Sequence, residues 1–199
     1  MAQALIPIDA KRFATGLSWK DYMAQMGDTR ARTESNYEKS KLTDEERKFF
    51  NGVTGVKYVI MTVENWCGDV HRNSPLVAHI ADAIPGCELR CFLRDQNPDI
   101  RDAVLNNGYQ SIPVAVFFDE NWNELGRWVE RAHAATTKAA IIRSLTLDAV
   151  SPSADQAAKD AAMNEFRKQV QGAYEAPGAP LWRAAANEIK LLLETRAKK

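Results

Sequence analysis

The chain has 199 residues, 45% of them hydrophobic, with 26 lysines and arginines against 26 aspartates and glutamates. That balance, with no basic stripe carrying interleaved aromatics, argues against nucleic acid as a partner. No segment has the length and apolarity of a membrane span, and Met1-Ala2-Gln3-Ala4-Leu5-Ile6-Pro7-Ile8 shows no basic stretch leading into a long apolar run. The expectation is therefore a soluble cytoplasmic protein with enough chain to bury a real core. Three cysteines, an odd number, argue against a structural disulfide framework and for a reducing compartment.

The first 55 residues read as a helical extension. Phe13, Leu17, Trp19, Tyr22, Met23 and Met26 supply apolar groups to pack on a sheet, and Thr43-Asp44-Glu45-Glu46 is a capping box opening a helix through Phe50. Between them, residues 27–41 are polar and charged with Tyr37 as the one large apolar group, a composition that predicts a long exposed loop.

Val56 to Val63 is rich in Val, Tyr, Ile, Met and Thr and reads as a buried strand. Val70, Leu76, Val77, Ile80 and Ala81 then fall at helical spacing, with Ala83 and Ile84 closing the pattern and Pro85-Gly86 stopping it. Cys67 thus stands at or beside a helix N-terminus, where unpaired amides and the dipole favour thiolate over thiol. The alternative is that Cys67 is a small buried hydrophobe. Glu64 and Asp69 are negative neighbours that would raise its pKa, and His71, four residues on, would lower it if protonated. A solvated first-turn position is the other reading of His71.

Glu88 to Arg94 reads as a second strand, Asp99 to Asn106 as a short helix, and Val114 to Asp119 as a third strand. Glu120-Asn121-Trp122-Asn123 forms a hairpin turn into a strand over Glu124 to Glu130, and a helix covers Ala134 to Leu147. Cys87 and Cys91 belong to the second strand, Cys87 at its start and Cys91 in its middle. Neither reaches Cys67 without breaking the sheet, so both read as packing residues. Ser153 and Gln156 form a second capping box. Two helices follow, one burying Ala162, Phe166, Val170 and Tyr174, the other Leu181, Ala185, Ile189 and Leu192, with Gly178-Ala179-Pro180 turning between them. This hairpin, residues 151–199, can pack on the core or present its stripe to a second copy in a homodimer; its basic end, Arg196-Ala197-Lys198-Lys199, fits a solvated helix terminus.

The order of elements, with Trp66-Cys67-Gly68-Asp69-Val70 at the strand-to-helix turn and Ser111-Ile112-Pro113 before the third strand, resembles the thioredoxin superfamily. It is most similar to a bacterial thioredoxin-like branch whose motif reads Trp-Cys-Gly-Asp-Cys. The resemblance covers about half the chain, residues 56–147, and implies an α/β thioredoxin fold: a central mixed sheet of about four strands flanked by helices. It also implies that Ile112 and Pro113 face the cysteine across a cis peptide bond, leaving the backbone of residue 112 to pair with an extended substrate.

Two departures bear on activity. Val70 occupies the second cysteine's position, so release of a mixed disulfide has to come from glutathione or another protein's thiol. Met61 stands where thioredoxins carry a buried aspartate that assists proton transfer. No cofactor is implied beyond glutathione as co-substrate, and no metal: Cys67 and His71 could approach one ion, but His79, His133, Cys87 and Cys91 do not complete a site. The motif of single-cysteine glutaredoxins, which hold a shared iron-sulfur cluster, is absent.

The sequence therefore supports an enzyme that performs monothiol disulfide exchange or deglutathionylation on protein thiols and disulfides. In that reading Cys67 is the nucleophile, Trp66, Gly68, Asp69, Val70 and His71 tune it, and Ile112 and Pro113 form the substrate groove. The alternative is a redox-inactive peptide-binding module that keeps the groove of Trp66, Ile112 and Pro113.

Overall fold

The computed structural model describes residues 6–196. Residues 1–5 and 197–199, and with them most of the basic end, lie outside the described residues.

The centre is a four-stranded mixed sheet built from β1 (Tyr58–Val63), β2 (Glu88–Leu93), β3 (Val114–Phe118) and β4 (Glu124–Val129), in the order β2-β1-β3-β4. β1 runs parallel to β2, with Met61 opposite Cys91, and antiparallel to β3; β3 and β4 form an antiparallel hairpin. The helices are α1 (Ala10–Ala14), α2 (Trp19–Ala24), α3 (Arg30–Lys39), α4 (Asp44–Asn51), α5 (Gly68–Ala83), α6 (Pro98–Ala103), α7 (His133–Thr146), α8 (Gln156–Tyr174) and α9 (Pro180–Arg196). This is the thioredoxin arrangement.

Strand alternation divides the core between two faces. Val59, Met61, Val63, Ala115 and Phe117 point into the larger core, where Tyr22 of α2, Phe50 of α4 and Leu76, Val77 and Ile80 of α5 meet them. Ile60, Val114, Val116 and Phe118 point the other way, onto Phe13 of α1 and Ile100 of α6. The outer edge of β2 is covered by Leu17, whose amide donates to the Cys91 carbonyl at 2.9 Å while its carbonyl accepts from the Cys91 amide at 2.7 Å. Helix α4 starts with the expected capping box, Thr43 and Glu46 each bonding the other's backbone amide.

The structure corrects two readings of the extensions. Residues 27–41 form no long loop: a 3₁₀ turn at Gly27–Thr29 leads into α3, and Thr33 and Asn36 on its inner face are fully buried. The start of α8 is capped by Asp155, whose carboxylate accepts the Ala158 amide at 2.8 Å, while the Ser153 hydroxyl pairs with Ser151. A carboxylate at the N-cap carries a full charge to the helix's positive end, which a serine two residues upstream cannot match.

The C-terminal hairpin packs on its own chain. Val170 and Tyr174 of α8 and Leu181, Trp182, Ala185, Ile189 and Leu193 of α9 join the larger core. Helix α9 lies so close to β4 that a Cβ on Gly126 would sit 2.6 Å from Leu192.

Candidate functional site

Cys67 is the N-cap residue of α5, in extended conformation (φ −85°, ψ 122°), after a short turn from β1. The turn is tied down by Glu64, nearly buried, whose carboxylate accepts the Asp95 amide at 2.8 Å just past the end of β2. Facing Cys67 is the Ile112–Pro113 peptide bond, which is cis. The Cys67 thiol donates to the Ile112 carbonyl, Sγ to O 3.6 Å.

The amides of Val70 and Asp69 point at the sulfur and favour thiolate, as a helix start should. Burial of the half-covered thiol is the larger effect, however, and the Asp69 carboxylate adds to it, so the Cys67 pKa is raised above the ordinary thiol value. The helix start expected from the sequence is present, but its amides act against burial rather than alone. Asp69 itself forms an ion pair with Arg131 at 2.8 Å; burial raises its carboxyl pKa, against the pull of Arg131 and Arg72. Val70, in the second-cysteine position, is fully buried in the larger core.

His71 does not tune Cys67 as a cation. Its ring is 1% exposed, its Nδ1 lies 2.8 Å from the Thr33 hydroxyl, and burial together with Arg32 and Arg72 lowers its pKa to about 4. At neutral pH the ring is an uncharged anchor for α3, neither imidazolium nor solvated. Glu64, a second expected neighbour of the thiol, is instead engaged with Asp95. Cys87 and Cys91 remain free thiols, and burial pushes Cys87 up to about 12. Among the described residues, no group of three or more His, Cys, Asp or Glu side chains is placed to hold a metal ion.

Trp66 is 58% exposed, and the Arg94 guanidinium lies 4.9 Å from its ring centroid while donating to the Gln110 carbonyl at 3.1 Å. Ile112 and Pro113 are buried, and Tyr109, 75% exposed, sits on the loop leading to them.

Several residues that shape the site gave no sequence signal of their own. Pro75 lies inside α5 and has no N–H, so the His71 carbonyl four residues earlier lacks its helical donor. Asn36 of α3 fills that role through Nδ2 at 2.8 Å. In the same turn the Trp182 indole donates to the Arg72 carbonyl at 2.7 Å, and Asn73 donates to the Glu130 carbonyl at 3.0 Å. The proline was the readable clue: a buried helix with an internal proline needs donors from elsewhere.

Residues 16–145 match the family model Thioredoxin_9, whose description is thioredoxin. No curated protein matches the sequence. Among solved structures, a protein of unknown function from Pseudomonas aeruginosa is 18% identical with a TM-score of 0.63, over 92% of this chain and 95% of that one. An HIV epitope-scaffold is 16% identical with a TM-score of 0.64, over 94% of this chain and 97% of the other. At these identities the likeness shows the fold, and it extends over nearly the whole length.

Proposed function

Because the chain belongs to the thioredoxin family, we propose that it acts as a cytoplasmic monothiol of the Trp-Cys-Gly-Asp branch, exchanging disulfides or glutathionylated thiols at Cys67. The observation that carries this reading is the placement of one partly buried sulfur between two helix-start amides and the backbone of Ile112. A Cys67 thiolate attacks R–S–S–R′, forming Cys67–S–S–R and expelling R′–S⁻, which takes up a proton. With Val70 in place of a second thiol, an outside thiolate attacks the adduct, forms a new disulfide with R and returns Cys67. Proteins bearing disulfides or glutathione adducts are the substrates, and glutathione is the resolving thiol.

The test is incubation with a glutathionylated peptide, followed by mass spectrometry of Cys67 and measurement of turnover with added glutathione. A transient Cys67 adduct, turnover, and loss of both in Cys67→Ser are expected; a Cys67 that never forms an adduct sinks the proposal.

One observation favours a second reading. The thiol is hydrogen-bonded to the Ile112 carbonyl and its pKa is raised, as suits a groove that holds an extended segment without reacting. In that case a peptide binds with equal affinity to wild type and Cys67→Ser, and no adduct forms.

A further inference from the structure

A cleft of about 540 Å³ opens beside Trp66 and Gly68, the two neighbours of Cys67, between α3, α8 and the start of α5. Its walls carry Arg32 from α3, Arg72 from α5, and Arg167 and Lys168 from α8. None of these four cations has a carboxylate within ion-pair distance among the described residues. The acid in the wall, Glu175, is already engaged by Lys39 and Gln171, both at 2.8 Å. Arg72 is the innermost of the four. One of its Nη atoms donates to the Gly68 carbonyl at 2.8 Å, while its Nε is buried with no partner. In a chain with 26 positive and 26 negative side chains, four cations without a carboxylate partner around one concavity are a local concentration of charge, although Arg72 also lies over the Tyr174 ring at 5.8 Å.

We propose that this cleft binds the carboxylates of a small anionic thiol or disulfide, so that Cys67 exchanges with low-molecular-weight substrates carrying two or more negative charges. The proposal rests on the exchange reading given above and adds the substrate class. A volume of about 540 Å³ suits a small molecule, and guanidinium groups pair with carboxylates through two parallel N–H donors. Cys67 does not itself line the cleft, but its two chain neighbours, Trp66 and Gly68, do, so a ligand anchored by the cations has to reach past that rim to meet the thiol. When the ligand is the resolving thiol, its thiolate attacks the Cys67–S–S–R bond. One disulfide breaks, another forms between ligand and R, and the Cys67 thiolate that leaves is protonated, with no net oxidation. This places the missing second thiol on the ligand.

The test uses the full chain with two symmetric disulfides, glutathione disulfide and the uncharged bis(2-hydroxyethyl) disulfide, and follows Cys67 adduct formation by intact mass at low and high salt. Glutathione disulfide is expected to react about tenfold faster or more at low salt, with the preference shrinking as salt screens it. The double variant R167E/K168E, at exposed positions of α8, should bring the ratio of the two rates to about one, as expected when steering is removed. Equal rates in the wild type overturn the cleft assignment while leaving exchange at Cys67 intact. If Cys67 reacts with neither disulfide, the exchange reading fails, and titration with thiol-free S-methylglutathione decides the cleft. Saturable binding that salt and R167E/K168E abolish upholds it as an anion site, and absence of binding overturns it.

Discussion

The side-chain amide of Asn36 donates to the main-chain carbonyl of His71 at 2.8 Å, and that carbonyl is the one Pro75 leaves without a helical donor. A break in the α5 ladder is thus repaired from α3, thirty-five residues earlier in the chain. The same asparagine accepts from Gln171 of α8 at 2.7 Å. One buried amide therefore joins α3, α5 and α8 next to Cys67, and the turn that carries the thiol is held from behind by elements outside the sheet.

Removing Asn36 should be costly in proportion to what Pro75 withholds. Asn36→Ala leaves a buried carbonyl unpaired, a loss of about 1–3 kcal/mol. In a Pro75→Ala background the residue at 75 supplies its own N–H, so the same substitution should cost less. Denaturant unfolding of the four proteins in this cycle gives the coupling. Additive costs would mean that Asn36 does not compensate for the proline.

The polar character of this docking explains what could and could not be read in the sequence. β1, α5 and β3 were legible because Val59, Ile60, Leu76, Ile80 and Val116 repeat with the periods of strand and helix. The turn carrying Cys67 was legible because a buried strand and an apolar helical stripe bracket it. Helix α3 was not, since it attaches through Thr33 to His71, Asn36 to His71, and the Tyr37 carbonyl to His79, contacts that leave no apolar period. The raised Cys67 pKa was illegible for a related reason. Helix-start amides can be inferred from sequence order, but the degree of burial that outweighs them depends on how the Ile112–Pro113 loop closes over the sulfur.

His71 should make the protein acid-sensitive. Its folded pKa of about 4 lies below the unfolded value of about 6.5, so as pH falls the unfolded chain takes up the proton first. The stabilisation is fully present above about pH 6.5 and is lost as pH falls toward about 4. Unfolding midpoints measured across that window should decline less steeply for His71→Gln than for wild type, carboxylates contributing equally to both. Parallel curves would show that His71 does not titrate as described.

Trp182 is fully buried and its indole N–H reaches the Arg72 carbonyl at 2.7 Å. Trp182→Phe keeps most of the apolar volume but removes this hydrogen bond, with an expected loss of about 0.5–1.5 kcal/mol. Because Arg72 also borders Gly68, the same variant should alter the alkylation rate of Cys67 in the folded protein. A stability loss with no change at Cys67 would separate the α9 contact from the site.

Cys67 should be a slow nucleophile at neutral pH. Burial raises its pKa first and the Asp69 carboxylate adds to it, so alkylation of the folded protein should accelerate only above the free-thiol value of about 8.5. Asp69→Asn removes the carboxylate and leaves Arg131 with Glu130 at 3.0 Å, making the surroundings of the sulfur more positive. The alkylation inflection should therefore move to lower pH in that variant, though only part of the way, since the larger contribution from burial is untouched. Mass spectrometry separates Cys67 from Cys87 and Cys91, whose burial keeps them slower still. A wild-type inflection below about 8.5 would mean that the helix-start amides outweigh burial. An unshifted inflection in Asp69→Asn would remove the carboxylate from the account.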